Sequence, residues 1–189
     1  MPRVKPPERD PRYPDFPTVV HALAHAAAHR GDAPALACVD RVITYAQYAR
    51  AVAALARRFG EARAAGERIA YLMRNGLDTV VALYAGLAAR AQIAPLNPTY
   101  TDREIEPLVR DVDPRLIVCD PEFAERARTL AQLVGGAKVI VAGADDLTLD
   151  RLLAPPGSCP CRSRTTSVRF SSPAARPACR RAPSIATGI

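Results

Sequence analysis

Three histidines are the residues whose type and spacing first suggest chemistry in this 189-residue chain. His21, His25 and His29 recur every four residues, so they share one face of a helix predicted over residues 18–30. Two of them could bind a metal ion, but all three cannot converge, because eight residues span about 12 Å of helix. We therefore interpret them as solvated or half-buried histidines on an alanine-rich helix.

Acidic residues form two further candidate groups. Asp145 and Asp146 could form a metal-binding pair, but in a loop after a predicted strand they are more typical of a solvated turn. Asp102, Glu104 and Glu106 stand in the first turn of a predicted helix, where carboxylates favour the positive end of the helix dipole. The sequence contains no dinucleotide-binding fingerprint, no Walker-A motif and no Gly-x-Ser-x-Gly elbow. We therefore predict no catalytic, cofactor-binding or metal-binding residue in this chain.

The five cysteines divide into two groups. Cys38 and Cys119 lie in apolar, strand-like runs and are predicted to be buried thiols. Cys159, Cys161 and Cys179 lie near the C-terminus, where the Cys-Pro-Cys spacing is too tight for a usual zinc site and no histidine follows. An odd number of cysteines indicates a reducing, cytoplasmic setting.

The first 15 residues are rich in proline and arginine rather than apolar. We interpret them as an extended N-terminal arm and not as a secretory signal. No apolar run in the sequence is long enough to cross a bilayer, so we expect no transmembrane segment.

Two capping boxes mark the starts of helices. Thr44 is followed three residues later by Gln47, and Thr101 by Glu104, so each pair can satisfy the other's free backbone N–H. Gly66 stands where a left-handed residue would end the helix that begins at Thr44.

Strand and helix patterns alternate between these signals and beyond them. Short, wholly apolar strands separated by single helices indicate a parallel sheet that helices cover on both faces. The predicted fold class is therefore α/β, a doubly wound and mostly parallel sheet. The predicted helices cover residues 18–30, 44–65, 77–89, 101–112 and 122–134; a hairpin covers 34–43, and strands cover 68–73, 92–96, 115–119 and 138–142.

After about residue 153 this alternation stops. Residues 154–189 contain six of the 26 basic side chains and none of the 19 acidic ones, so the net charge of +7 belongs largely to this segment. It is rich in proline, serine and arginine and shows no apolar period, so we predict a disordered basic tail.

Several segments, in order, resemble the N-terminal subdomain of the adenylate-forming (AMP-binding) acyl-CoA synthetases. The closest similarity is to long-chain fatty-acid or aryl acid–CoA ligases, and it runs over residues 16–153. One departure is Ala89-Arg90-Ala91, where the family usually has a Lys-Ala-Gly-Ala turn, so the turn is expected to be strained or rebuilt. The segments that carry the resemblance are residues 44–48 (T-Y-x-[E/Q]-[L/Y]), 66–70 (G-D-R-V-A), 75–88, 97–105 (N-P-x-Y-T-x-x-E-[L/I]) and 116–119.

The resemblance implies an activity for a full-length enzyme of this family. Such an enzyme activates a carboxylic acid with Mg-ATP, releases pyrophosphate, and passes the acyl group from AMP to coenzyme A. Its phosphate loop, rich in Gly, Ser and Thr and ending in P-K-G, would follow shortly after Asp150, but this chain lacks it. The resemblance thus implies a truncated chain that is inactive alone and binds no cofactor, with a carboxylic acid, ATP and CoA as partners of the whole enzyme.

The tail itself suggests how the loop was lost. We consider the reading frame in which each codon consists of the third base of one tail codon and the first two bases of the next. In this shifted frame, the codons that the tail residues allow permit the string TGGTTGLPKG across residues 172–182. The string is permitted rather than compelled, because the third bases are free. We hypothesise that a frameshift near residues 154–159 placed the tail out of frame.

Two other interpretations stay open. The chain could be a non-enzymatic α/β domain whose arginine-rich tail binds nucleic acid or acidic partners in a salt-dependent way. Phe170 is the only aromatic residue in the tail, which disfavours base stacking, so nucleic acid is not the favoured partner. The chain could also be the product of a degraded gene with the same fold and no role. Oligomeric state stays open.

Overall fold

The computed structural model describes residues 14–39, 41–144 and 147–154. The predicted arm, apart from residues 14 and 15, and the predicted tail after residue 154 lie outside these ranges, as do Asp145 and Asp146. The elements in chain order are α1 (Val19–His29), β1 (Pro34–Cys38), β2 (Arg41–Thr44), α2 (Tyr45–Glu61), β3 (Arg68–Leu72), α3 (Leu77–Ala88), β4 (Gln92–Leu96), α4 (Asp102–Val112), β5 (Leu116–Cys119), a 3₁₀ turn (Pro121–Phe123), α5 (Ala124–Gln132), β6 (Lys138–Val141) and α6 (Leu149–Leu153).

A four-stranded parallel sheet, in the order β4-β3-β5-β6, organises the described residues. The hairpin β1–β2 forms a separate antiparallel pair. The chain moves from β3 outward to β4 through α3, then crosses back over β3 through α4 to reach β5. Helices therefore lie on both faces, which confirms the predicted doubly wound α/β class.

Alternation along the strands divides the buried side chains into two cores. Tyr71 and Val118 point to a larger core that also receives α1, α2, α3 and α6. Leu72 and Cys119 point to a smaller core that is covered by α4 and α5. Since both faces of the two central strands are buried, these strands are apolar: β3 is buried at every position after Arg68, and β5 (Leu-Ile-Val-Cys) is buried at all four positions.

Both predicted capping boxes form. The Thr44 N–H donates to Gln47 Oε1 at 2.9 Å, and the Gln47 N–H donates to Thr44 Oγ1 at 3.3 Å. At the second box, the N–H and the hydroxyl of Thr101 both donate to Glu104 Oε2, at 2.8 and 2.7 Å. These bonds lower the pKa of the Glu104 carboxyl.

The predicted end of α2 at Gly66 is wrong. The helix ends at Glu61, and Arg63 takes the left-handed conformation with φ of 56°. The Arg63 N–H bonds to Gly60 O and the Ala64 N–H to Phe59 O, which together form a Schellman motif. Gly66 also has a positive φ, of 79°, but it lies in the following loop.

The unusual turn at Ala89-Arg90-Ala91 is strained, as the sequence suggested. Arg90 has φ of 62°, a region where a side chain is disfavoured and glycine is the usual residue. The Arg90 N–H bonds to Leu87 O and the Ala91 N–H to Gly86 O, both at 3.0 Å. The turn thus keeps the hydrogen bonds of a Schellman motif without the glycine.

Helix α6 was not predicted from the sequence. It packs against α2 and contributes Leu149 and Leu152 to the larger core. An Arg50 guanidinium N–H donates to Leu153 O at 2.6 Å, and Arg41 pairs with Asp150. Residues of the hairpin and of α2 are thereby joined to the end of the described chain. Of the helices in the described ranges, none is both long enough and apolar enough to span a bilayer.

Candidate functional site

The carboxyl ends of the parallel strands meet at one edge of the sheet, which we name the carboxyl edge. It consists of the loops 73–76, 97–101 and 120–123, which follow β3, β4 and β5. The connections from β3 and from β5 leave on opposite faces of the sheet, since α3 joins the larger core and α5 the smaller one. A doubly wound sheet opens a crevice where neighbouring strands part in this way, and ligands bind there. The carboxyl edge is therefore the candidate site.

Arg74 and Asp120 close this crevice between β3 and β5. The Arg74 backbone N–H donates to Asp120 Oδ2 at 2.7 Å. The Arg74 guanidinium pairs with Glu122 and lies over the Phe123 ring, with Cζ 5.7 Å from the ring centroid. The ion pair is well exposed, so we expect it to orient the two loops rather than to add much stability.

Two carboxyl groups, those of Asp78 and Asp120, lie in the crevice, and their charged forms are disfavoured there. Burial raises the pKa of Asp78, in the first turn of α3, and the charge of Asp120 raises it further. Burial also raises the pKa of Asp120, although the hydrogen bond from the Arg74 N–H opposes this effect. Negative charge is therefore disfavoured at this point, and a cationic group or a hydrogen-bond donor would be favoured.

The loop after β4 is held by two sets of hydrogen bonds. Asn97 Oδ1 accepts from the Thr99 N–H at 3.0 Å and from the Thr99 hydroxyl at 2.8 Å, forming an Asx turn. Arg126 of α5 donates to Pro98 O at 2.9 Å, to Tyr100 O, and to Asp102 Oδ1 at 2.8 Å. The Arg126 side chain is only 22% exposed. One guanidinium thus fixes the loop of the carboxyl edge to a helix of the smaller core.

The histidines are not brought to this edge. His21, His25 and His29 are exposed on α1, and the rings of His25 and His29 stack with centroids 4.0 Å apart. The described residues contain no group of three or more His, Cys, Asp or Glu side chains that could hold a metal ion. The geometry agrees with the interpretation of surface histidines.

The other candidate residues are buried or paired with neighbouring residues, or they lie outside the described ranges. Cys119 is buried, and its burial raises its pKa to about 11, so it is a poor nucleophile at neutral pH. The prediction of a buried thiol is wrong for Cys38, which is only half-buried because β1 belongs to the separate hairpin. In the first turn of α4, Asp102 pairs with Arg126; Glu106 lies beyond that turn, contrary to the prediction, and pairs with Arg110 at 3.4 Å. Cys159, Cys161 and Cys179, like Asp145 and Asp146, fall outside the described residues.

Sequence reasoning did not single out Arg74, Asp120 or Arg126. A signal existed for the first two, because each stands one or two residues after a buried parallel strand, where loops converge. Arg126 lay on an ordinary helix pattern, and its contacts 24–28 residues away have no local signature.

A second concave surface lies at the opposite, amino edge of the sheet. Its volume is about 490 Å³, and it contains three acidic and three basic side chains: Glu61, Glu67, Asp113, Arg63, Arg115 and Lys138. Helices α2, α4 and α5 end beside it. Because ligands of doubly wound sheets bind at the carboxyl ends of the strands, we do not assign the site to this second surface.

Comparison with known proteins identifies the family to which this chain is similar. The family model described as "AMP-binding enzyme" matches residues 23–172. The match passes the predicted domain boundary at 153, so that boundary stays a prediction.

Individual relatives agree with the family match. The long-chain-fatty-acid–CoA ligase of Salmonella typhimurium is 30% identical over 134 residues, which cover 69% of this chain and 24% of that protein. The fatty acid–[acyl-carrier-protein] ligase ScoC of Streptomyces coeruleorubidus is 28% identical over 112 residues, covering 59% of this chain and 22% of that protein. The chain thus spans about a quarter of the length of these relatives.

Solved structures agree on the fold. The long-chain-fatty-acid-CoA ligase FadD1 of Archaeoglobus fulgidus superposes with a TM-score of 0.61 at 19% identity, over 71% of this chain and 29% of that one. At this identity the superposition supports the shared fold alone.

Proposed function

Because the chain belongs to the family of AMP-binding enzymes, we propose that it carries the first α/β subdomain of an ATP-dependent acid–CoA ligase. Such a ligase joins a carboxylate to ATP, forming acyl-AMP and releasing pyrophosphate. The thiol of coenzyme A then takes the acyl group and releases AMP. The observation that carries the proposal is the family match over residues 23–172, and the parallel α/β sheet supports it.

The chain's own residues are proposed to build the scaffold and not the catalytic centre. We assign no contact with ATP, Mg²⁺ or CoA to the described residues, because the two arginines of the carboxyl edge already bond to neighbouring protein groups. Arg74 is paired with Glu122 and Asp120, and Arg126 with the loop after β4. No glycine-rich phosphate loop follows any strand in the sequence. We therefore assign no chemical step to these residues.

A direct assay tests the absence of activity. The purified 189-residue chain is incubated with Mg-ATP, CoA and fatty acids of increasing length, and pyrophosphate release is measured with and without the acid. We expect no acid-dependent release. Release that depends on the acid would overturn the proposal that this chain is inactive alone.

The frame hypothesis supplies a matched control. Sequencing the gene across codons 150–160, and through the tail, shows whether the third bases encode TGGTTGLPKG in the shifted frame. If they do, the gene with the corrected frame is expected to give a protein with acid-dependent pyrophosphate release. A single intact frame with other third bases would refute the frameshift and leave the family membership unchanged.

The charge of the tail favours a second, weaker candidate function. With six arginines and no acidic residue, residues 154–189 could contact phosphates without any contribution from the α/β domain. Salt-dependent binding of DNA by the whole chain, and its loss when residues 154–189 are removed, would favour this function. Equal, weak binding by both forms would eliminate it.

A further inference from the structure

Strand β6 is an open edge of the parallel sheet. Within the described residues it pairs with β5 alone. The Lys138 N–H donates to Arg115 O at 3.2 Å and the Ala142 N–H to Cys119 O at 2.8 Å, so alternate residues of β6 face β5. The backbone N–H and C=O groups of Val139 and Val141 therefore point away from the sheet, where another strand could pair with them.

The opposite edge of the sheet is blocked. The Gln92 N–H donates to Glu67 O at 2.8 Å, so in β4 the even-numbered residues face β3 and the odd-numbered ones face outward. Pro95 occupies an outward position and has no N–H to offer. Proline in this position is a known protection against edge-to-edge pairing. Only one of the two edges thus carries this protection.

The open edge has an apolar floor. A cleft of about 280 Å³ runs beside it and is lined by Val139, Ile140, Val141, Ala144 and Leu147, with the charged residues Lys138, Arg58 and Glu61 completing the lining. Arg58 and Glu61 pair with each other at 3.4 Å. An incoming strand would therefore meet apolar side chains along Val139–Val141, and Lys138 at the start of β6 is the one charged side chain of the strand itself.

The position of α6 argues against the next segment of the same chain as the occupant. The connections β4–α4–β5 and β5–α5–β6 run across the sheet towards β6, and their helices lie on the smaller core. The connection β3–α3–β4 runs in the opposite direction, and its helix lies on the larger core. Helix α6 lies on the larger core. Since crossovers keep one hand, a strand reached through α6 would not lie beyond β6.

We propose that β6 pairs antiparallel with β6 of a second copy of this chain, forming a twofold-symmetric dimer with a continuous eight-stranded sheet. Val139 then faces Val141 of the other copy in a hydrogen-bonded pair, and the symmetry repeats this pair. At the centre of the pairing, Ile140 faces Ile140 of the other copy in a non-hydrogen-bonded pair. The run Val-Ile-Val reads the same in both directions, so β-branched side chains face each other at every position.

Charge and closure are consistent with this pairing. Each Lys138 lies at an opposite end of the pairing, so the two ammonium groups stand about 13 Å apart along the strands. The outer strands of the new sheet would both be β4, whose Pro95 stops further addition. The assembly therefore ends at two copies and does not grow into a fibre.

Sedimentation of the full chain tests the proposal. We expect the sedimentation coefficient to rise to a dimer plateau as the concentration increases from low to high micromolar. Val139→Pro removes an outward donor and leaves the β5 ladder intact, so this variant is expected to stay monomeric at all these concentrations. Val139→Ala, the matched control, shortens the same side chain but keeps the N–H and is expected to dimerise. A monomeric wild type, or assemblies that pass beyond a dimer, would overturn the proposal, as would an unaffected Val139→Pro.

A cross-linking experiment decides the question if Val139→Pro does not fold. Ile140→Cys places two thiols opposite each other, about 4.5 Å apart between Cα atoms, which suits a disulfide. Val139→Cys is the control, because two copies of residue 139 lie too far apart for a bridge. We expect mild oxidation to give a 140–140 disulfide, identified by peptide mass spectrometry, and no 139–139 disulfide. Equal yields from both variants, or no cross-link from either, would refute the antiparallel register.

Discussion

Replacing Arg90 by glycine should relieve backbone strain at the end of α3. Arg90 has φ of 62° at the position of the Schellman motif that glycine usually fills. A left-handed conformation costs a residue with a Cβ about 1–2 kcal/mol. Glycine removes this cost. Its greater conformational freedom in the unfolded chain, however, lowers the free energy of unfolding by about 0.4–1 kcal/mol. The exposed guanidinium also interacts favourably with the helix C-terminus, by about 0.3–1 kcal/mol, and any substitution loses this interaction.

The comparison of Arg90→Gly with Arg90→Ala isolates the backbone effect. Both variants lose the guanidinium, but alanine keeps the Cβ and hence the strain. We expect the glycine variant to have a free energy of unfolding about 1 kcal/mol above that of the alanine variant. The corresponding difference in melting temperature is about 2–4 °C for a domain of this size. Urea unfolding followed by circular dichroism measures the free energies.

Two further positions make this test selective. Arg63, with φ of 56°, ends α2 through the same pattern of hydrogen bonds. The glycine variant at residue 63 should therefore again have a higher free energy of unfolding than the alanine variant. Arg57 is exposed in the interior of α2, where glycine should instead be about 1 kcal/mol worse than alanine. If glycine were no more stable than alanine at residues 90 and 63, the strain argument would be refuted.

Three more predictions concern the core and the carboxyl edge. Gly86→Ala places a methyl group against the Tyr71 hydroxyl, which donates to Ala82 O, so it should cost about 1–3 kcal/mol in urea unfolding; Tyr71→Phe should recover part of that loss. Arg126→Ala should cost about 1–2 kcal/mol and expose the loop 97–101 to limited proteolysis, whereas Arg128→Ala, on the same helix but more exposed, should do neither. Asp78→Asn should raise the free energy of unfolding at pH 7, because the folded-state pKa of Asp78 lies above its usual value and the charged form is disfavoured. This gain in stability should decrease as the pH falls below the folded-state pKa and should vanish below the unfolded-state pKa. A gain that grew on acidification would contradict this reasoning.

The fold was largely predictable because its determinants are local. The capping boxes at Thr44 and Thr101 set two helix starts, and the uniformly apolar strands indicated a sheet buried on both faces. The end of α2 was missed because arginine at residue 63 takes a conformation that the sequence assigned to Gly66. Helix α6 was missed because it is five residues long and is stabilised by packing on α2 rather than by its own pattern.

The candidate site was less predictable, since it depends on contacts between distant segments. Strand ends alone could have placed Arg74 and Asp120 at one edge, but not the backbone hydrogen bond between them. The raised pKa of Asp78 depends on burial and on Asp120, 42 positions further along the chain. Such effects follow from the assembled sheet and have no counterpart in a local residue pattern.

The contact of α6 with α2 has a consequence for synthesis on the ribosome. The larger core joins Leu23 near one end of the described chain to Leu152 near the other. The emerging polypeptide therefore cannot complete that core until α6 has left the exit tunnel, and until then α2 keeps an uncovered apolar stripe. Contacts so distant in sequence form slowly and leave apolar surface exposed in the meantime. Translation errors near codon 150 would thus trap this polypeptide in the state that chaperones and proteases recognise.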